Sequence, residues 1–293
     1  MRKILVTGAS GLLGSRLVDV LSEECEVTPT HNISSLHHNS LEMNVVDRDA
    51  VSQVFKMVHP DVVVHTAAMT NVDKCETDRE SAWNINALGT KNVAQECGAV
   101  GAKLIYVSTD YVFDGVKGRY CEDNQRNPIN YYGYTKMKGE DHVKEFCEDF
   151  VIARTSVIYG WHPTKLNFVT WIIESLKRRE KTFIAEDHYN SPTFADDLAE
   201  MIRAIIENDL TGIYHTAGNE RISRYMFALK VARVFELDSS LIAPVKMNDL
   251  KGWIAKRPRD SSLSIEKLKR KLGFMQADLD EALERMNRSQ KLK

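Results

Sequence analysis

The chain lacks a surplus of either charge. Its 39 basic and 41 acidic residues leave a formal net charge of −2, which removes the electrostatic case for nucleic acid or for an anionic membrane surface. Long apolar runs are missing too: no stretch approaches the roughly 18 residues that span a bilayer. Met1-Arg-Lys leads directly into a strand and a glycine turn rather than into a secretory-signal layout, so a cytoplasmic protein is expected. Cysteine is sparse. Cys25, Cys75, Cys97, Cys121 and Cys147 are dispersed, with no Cys-x-x-Cys spacing. Such a set predicts free thiols, not a disulfide framework or a zinc site. His37-His38 has no nearby carboxylate or thiol to complete a ligand set, so no metal is expected. Linkers rich in Gly, Pro or Ser, internal repeats and low-complexity segments are absent. The basic run from Arg285 to Lys293 reads as a solvated helix end or frayed tail.

What is present is alternation. Short apolar strands are expected at Lys3–Thr7, Glu26–Thr28, Leu41–Met43, Asp61–His65, Lys103–Ser108 and Phe150–Thr155. Helical patterns lie between them, at Arg48–Val58, over a long stretch from Arg79 to Val100, and around Tyr132. Runs such as Asp61-Val-Val-Val-His65 suit strands covered on both faces. The repetition implies an α/β fold, a doubly wound parallel sheet of Rossmann type. After residue 156 the rhythm is lost. Helices are expected at Leu166–Arg179, Ala195–Asn208, Ser223–Phe235, Leu263–Leu272 and Leu279–Met286, with a strand at Gly212–Thr216. The expected division is a dinucleotide-binding domain over 1–156 and a smaller C-terminal substrate lobe over 157–293. Parts of that lobe, about 191–216, should pack back on the core.

Two local patterns carry chemistry. The first strand runs into Gly8-Ala-Ser-Gly11-Leu12-Leu13-Gly14 and then into a helix. Glycines there let backbone amides approach a pyrophosphate, and the helix N-terminus favours its charge. The second is Tyr132-Gly-Tyr-Thr-Lys136, whose ends share one helix face. An ammonium beside a phenol stabilises the phenolate and brings its pKa toward working range. Strand Lys103–Ser108 ends in Ser108-Thr109-Asp110, which places hydroxyls where the Tyr132 helix can meet them. Thr109 could then hold a substrate carbonyl while Tyr132 protonates it and Lys136 holds the cofactor ribose. That is carbonyl reduction by hydride transfer with a general acid. The second strand's end, Thr28-Pro-Thr-His-Asn32, has no acidic residue to repel a 2′-phosphate, so NADPH is expected to serve at least as well as NADH.

Many further residues fit one pattern. They are Ala67-Ala-Met-Thr-Asn-Val-Asp-Lys-Cys-Glu76, Asn86-Ala-Leu-Gly89, Ser108-Thr-Asp-Tyr-Val-Phe-Asp-Gly115, Pro128 through Glu140, Arg154-Thr-Ser156, Ser191-Pro-Thr-Phe-Ala-Asp-Asp-Leu-Ala199 and Arg257-Pro258. With the glycine turn, they make the chain resemble the dTDP-4-dehydrorhamnose reductase family of extended short-chain dehydrogenase/reductases. The resemblance implies an NAD(P)H-dependent reductase of a 4-keto nucleotide sugar, most simply dTDP-4-dehydrorhamnose to dTDP-rhamnose, with a homodimer allowed. It implies catalytic Thr109, Tyr132 and Lys136, with Asp110, Val157 and Arg257 toward the substrate. Cofactor contacts would fall on Gly8, Gly11, Leu12, Leu13, Gly14, Asn44, Val45, Ala67, Ala68, Met69 and Thr70. Two positions depart from the family. Val157 stands where a sugar-facing Trp is usual, with Trp161 nearby as a substitute or a packing residue. Leu263-Ser264 stands for the usual Leu-Asp. A related branch, the regulatory subunit of methionine adenosyltransferase, also lacks that Trp and acts by binding a partner enzyme. A nucleotide-sugar epimerase or dehydratase is a further alternative, although Asp110-Tyr111 offers only one carboxylate.

Overall fold

A computed structural model describes residues 1–273 and 278–290. Strand β1 (Lys3–Thr7) leads through the glycine turn into α1 (Leu12–Leu21), β2 (Glu26–His31) and β3 (Leu41–Glu42). Helix α2 (Arg48–Val58) follows. Asp47 caps its first amides, and His59 ends it in the left-handed region at φ 48°. Next come β4 (Val62–His65), α3 (Val72–Thr77) and α4 (Arg79–Trp83). A π-helical turn over Asn84–Leu88 joins α4 to α5 (Gly89–Val100), so the expected long helix is one element with an extra residue wound in. Strand β5 (Lys103–Thr109), helix α6 (Tyr131–Phe146) and β6 (Phe150–Thr155) complete the alternating part.

Beyond it lie β7 (Ile158–Tyr159), α7 (Phe168–Lys177), β8 (Thr182–Ala185), β9 (Tyr189–Asn190), β10 (Thr193–Phe194), α8 (Ala195–Glu207), β11 (Gly212–His215), β12 (Ile222–Ser223), α9 (Arg224–Val234), β13 (Ile242–Val245), α10 (Glu266–Leu272) and α11 (Leu279–Gln290). The last three residues of the basic tail, 291–293, lie outside the described residues.

Among the described residues the main sheet is seven-stranded and parallel, ordered β3-β2-β1-β4-β5-β6-β11. The order reverses between β1 and β4, the crevice where ligands bind in open α/β sheets. Its strands are largely apolar inside: Ile4, Leu5, Val63, Val64, Leu104, Ile105 and Ile152 are buried completely. One face packs on α1 and α8, where Leu17, Leu198, Ile202 and Ile205 meet. The other packs on α2, α5 and α6. A separate apolar core holds α7, α9 and α11 around Ile172, Phe227, Val231 and Leu283. Its small parallel ladder is β13 on β8.

Candidate active site

The glycine turn is forced by space. Gly8 sits at φ +69°, which a side chain rarely adopts, and a Cβ on Gly14 would run into the Gly8 carbonyl. Helix α1 starts at the N-cap Gly11, with no side chain capping it. Its first amides therefore have no side-chain acceptor and face a cavity of about 820 Å³. Gly8, Gly11, Leu12, Leu13 and Gly14 line that cavity on one side, and Asn44, Val45, Ala67, Ala68 and Thr70 on another. This donor set fits a dinucleotide: amides and a positive helix end for the pyrophosphate, and no carboxylate at the β2 end, where His31, Asn32 and Ser34 line the cavity. Met69 does not line it. Its backbone N–H and C=O are both clasped by the Asn86 side chain, at 2.8 and 3.0 Å, which fixes the Ala67–Thr70 loop from behind.

The loop after β4 is also tied to β1. His65 is fully buried, with Nδ1 2.6 Å from Thr7 Oγ1 and Nε2 3.1 Å from Thr90 Oγ1. Burial, then the nearby Lys136 charge, lowers its pKa to about 3, so the ring is neutral at physiological pH.

The third wall is the carboxyl end of β5 with the start of α6. Asn130 caps α6, accepting from the Gly133 N–H at 2.8 Å. Gly133 lets the helix come against the Tyr111 carbonyl, where a Cβ would not fit. That contact sets Tyr132 edge-on to the Tyr111 ring, centroids 6.0 Å apart. Thr109, Asp110, Tyr132 and Lys136 all line the same cavity. Thr109 Oγ1 lies 3.1 Å from Asp110 Oδ1. Asp110 is buried, and burial raises its pKa against hydrogen bonds from Ser261, Ser156 and Thr109.

One expectation fails in this geometry. Lys136 was expected to lower the Tyr132 pKa. Instead burial raises the phenol's pKa, the hydroxyl of Thr109 lowers it only in part, and nearby Asp110 adds to the rise. The reason is where the ammonium goes. Lys136 Nζ donates to the Val107 carbonyl at 2.8 Å and sits 4.1 Å above the Tyr106 ring. Burial pulls Lys136 down to about 7, opposed by Glu140 and Cys75. Tyr132 thus keeps its proton at neutral pH, which suits a donor.

Of the residues expected toward the substrate, Asp110 and Val157 line the cavity and Arg257 does not. The Arg257 guanidinium pairs with Asp73 at 2.8 Å, donates to the Ala255 carbonyl and lies 5.3 Å from the Trp253 ring centroid. Val157 is held at φ +46°, a costly conformation for a β-branched residue. Trp161 is a packing residue: its Nε1 donates to the Met286 carbonyl at 2.8 Å, and its ring meets Phe235. Arg224 lines the cavity and was not anticipated. It opens α9 without any motif around it, and nothing in a single sequence marks it. Lys165 also lines the cavity, from a loop that His162 pins to the Ser10 carbonyl at 3.1 Å.

Among the described residues no cluster of three His, Cys, Asp or Glu side chains could hold a metal ion. None of the described helices is long and apolar enough to cross a membrane.

The chain is similar to known proteins over nearly its whole length. The family model of the RmlD substrate binding domain matches residues 1–291. The structure superposes with a TM-score of 0.89 on dTDP-4-dehydrorhamnose reductase from Bacillus anthracis in complex with NADP, at 35% identity, covering 99% of this chain and 100% of that one. A dTDP-4-dehydrorhamnose reductase from Clostridium acetobutylicum gives 0.90 at 33% identity, with 99% of each chain covered. Methionine adenosyltransferase 2 subunit beta from Xenopus tropicalis is 34% identical over 284 residues, 94% of this chain and 84% of its own length. With the match running across both the sheet and the lobe, the chain belongs to the dTDP-4-dehydrorhamnose reductase family of extended short-chain dehydrogenase/reductases.

Proposed function

We propose that this chain is an NAD(P)H-dependent reductase that converts dTDP-4-dehydrorhamnose to dTDP-rhamnose. The observation that carries the reading is the convergence of the glycine turn, Thr109, Tyr132 and Lys136 on one cavity. Gly8, Gly11 to Gly14, Asn44, Val45, Ala67, Ala68 and Thr70 would hold the dinucleotide, and residues 157–293 would close over the sugar. NADPH, when bound, supplies the hydride. The chain supplies the rest. The Thr109 hydroxyl donates to the C4 carbonyl oxygen and Tyr132 transfers its proton to that oxygen, so the ketone becomes an alcohol. Tyr132 then regains a proton from solvent. Lys136, held by the Val107 carbonyl, would hold the ribose. Asp110 orients Thr109, and the Arg224 cation suits an anionic substrate.

The cofactor reading favours NADPH, because His31, Asn32 and Ser34 line the 2′ side without a carboxylate. The test is NAD(P)H oxidation with dTDP-4-dehydrorhamnose, with mass spectrometry of the product. No oxidation across a panel of dTDP-, UDP- and GDP-linked 4-keto sugars would end the enzyme reading.

A second reading is favoured by Val157, which stands where the resemblance implies a sugar-facing Trp. The 34% identical relative is methionine adenosyltransferase 2 subunit beta. A regulator would show no turnover and would retain a methionine adenosyltransferase in a pull-down.

A further inference from the structure

A chain of polar side chains joins the lobe to the end of β5. Asp110 is about 3% exposed. Its Oδ2 accepts from the Ser156 hydroxyl at 2.8 Å and from the Ser261 hydroxyl, while Thr109 takes Oδ1. The Ser261 oxygen accepts from Asn190 Nδ2 at 2.9 Å, and Asn190 Oδ1 accepts from Arg224 Nε at 2.7 Å. Chemistry fixes the direction of every bond. A guanidinium only donates, so Asn190 must present its oxygen to Arg224 and its N–H to Ser261. Ser261 must then spend its own hydrogen on Asp110. The chain runs from a cation to an anion with all dipoles aligned, the arrangement in which hydrogen bonds polarise one another. Its members stand at 110, 190, 224 and 261, from four separate parts of the fold.

The arrangement also solves a problem at Thr109. Its hydroxyl has one hydrogen, which points at Asp110 Oδ1 and is the hydrogen a substrate carbonyl needs. When Thr109 turns away, the carboxylate keeps the two serine donors on Oδ2.

We propose that Asn190 and Ser261 are positioning residues of this site: their aligned bonds carry the field of Arg224 to Asp110 and hold that carboxylate fixed and charged while Thr109 turns to the substrate. The role of Thr109 rests on the reductase reading; the link between Arg224 and Asp110 does not.

The test uses the full chain with 13C-labelled aspartate, the Asp110 signal being assigned with Asp110→Asn. The charged or titratable groups facing Asp110 are the Tyr111 and Tyr132 phenols and Arg224, with Arg257 and His188 acting on Arg224 or its neighbours. All stay in place in the variants. Ser261→Ala and Asn190→Ala should each raise the Asp110 titration midpoint by about one pH unit, and Ser261→Thr should restore it. In turnover, kcat should fall about tenfold while KM for NADPH changes less than twofold, the loss expected of one charge-assisted hydrogen bond. If Asn190→Ala does not fold, the isosteric Asn190→Leu replaces it with the same expectation. An Asp110 midpoint that stays at the wild-type value in the Asn190 variant overturns the proposal. An inactive wild type with these midpoint shifts intact would instead remove the reductase reading and leave the chain of bonds standing.

Discussion

In the proposed reaction Tyr132 meets the substrate still protonated and gives that proton to the carbonyl oxygen. Burial holds its phenol protonated, so at neutral pH the donor is ready before the carbonyl arrives. Tyr132→Phe should lower kcat at least a hundredfold, within the range a general acid supplies, while leaving NADPH affinity within about threefold by fluorescence titration. Retention of a tenth of wild-type kcat would remove the role. Tyr134→Phe, on an exposed ring of the same helix, is the control. In the proposed reaction Lys136 should set the alkaline limit. Its pKa is pulled down to about 7, so the ammonium is charged below that value and neutral above it. The expected kcat/KM therefore falls by up to tenfold per pH unit on the alkaline side of about 7. In Lys136→Arg the guanidinium keeps its proton, and the alkaline limb should vanish whatever rate remains. A limb that persists unchanged in that variant assigns it to another group.

At the scale of elements, helix α6 is placed by what it lacks. Gly133 lies between Tyr132 and Tyr134, and the Tyr111 carbonyl occupies the space a methyl group would need. Gly133→Ala should cost about 1–3 kcal/mol of stability in urea unfolding, as overpacking does. It should also lower kcat, because the helix that carries Tyr132 must back away from Thr109. Stability and rate equal to wild type would show that the contact is soft. The same elements show what a sequence can reveal. Helix Arg48–Val58 is legible because Asp47 caps it and His59 closes it, both local events. Thr109, Tyr132 and Lys136 are legible because fixed spacings encode their meeting. Helix α3 escapes notice: of Val72-Asp-Lys-Cys-Glu-Thr77, only Val72 and Cys75 are apolar, too few to set a period. Its use is tertiary, since Asp73 holds Arg257 and the amides of Ile254 and Ala255. The π-turn at Asn84–Leu88 is invisible to periodicity, which continues across it. Arg224, Asn190 and Ser261 are illegible for a different reason: they meet only when distant segments fold back, and no spacing records that. Lys136 shows the limit within a legible site. Its partners, the Tyr106 ring and the Val107 carbonyl, belong to a strand read only as apolar.

At the scale of the whole molecule, the seventh strand of the main sheet is supplied late. Strand β11 pairs with β6 through Gly212–His215, after more than fifty residues of lobe have intervened, and α8 covers α1 just before it. On the ribosome, a nascent chain that has emerged only as far as residue 156 holds six strands whose last edge is open. The alternate backbone groups of β6 that face β11, those of Ile152 and Arg154, are then unpaired and a template for another chain, and the part of α1 that α8 covers is exposed. Vectorial synthesis therefore offers no safe stopping point at the end of the alternating part. A fragment of residues 1–156 should aggregate on expression, whereas one that continues through residue 216 should show markedly more soluble material in centrifugation assays. Equal solubility of the two would mean that the β6 edge is protected by something other than its late partner.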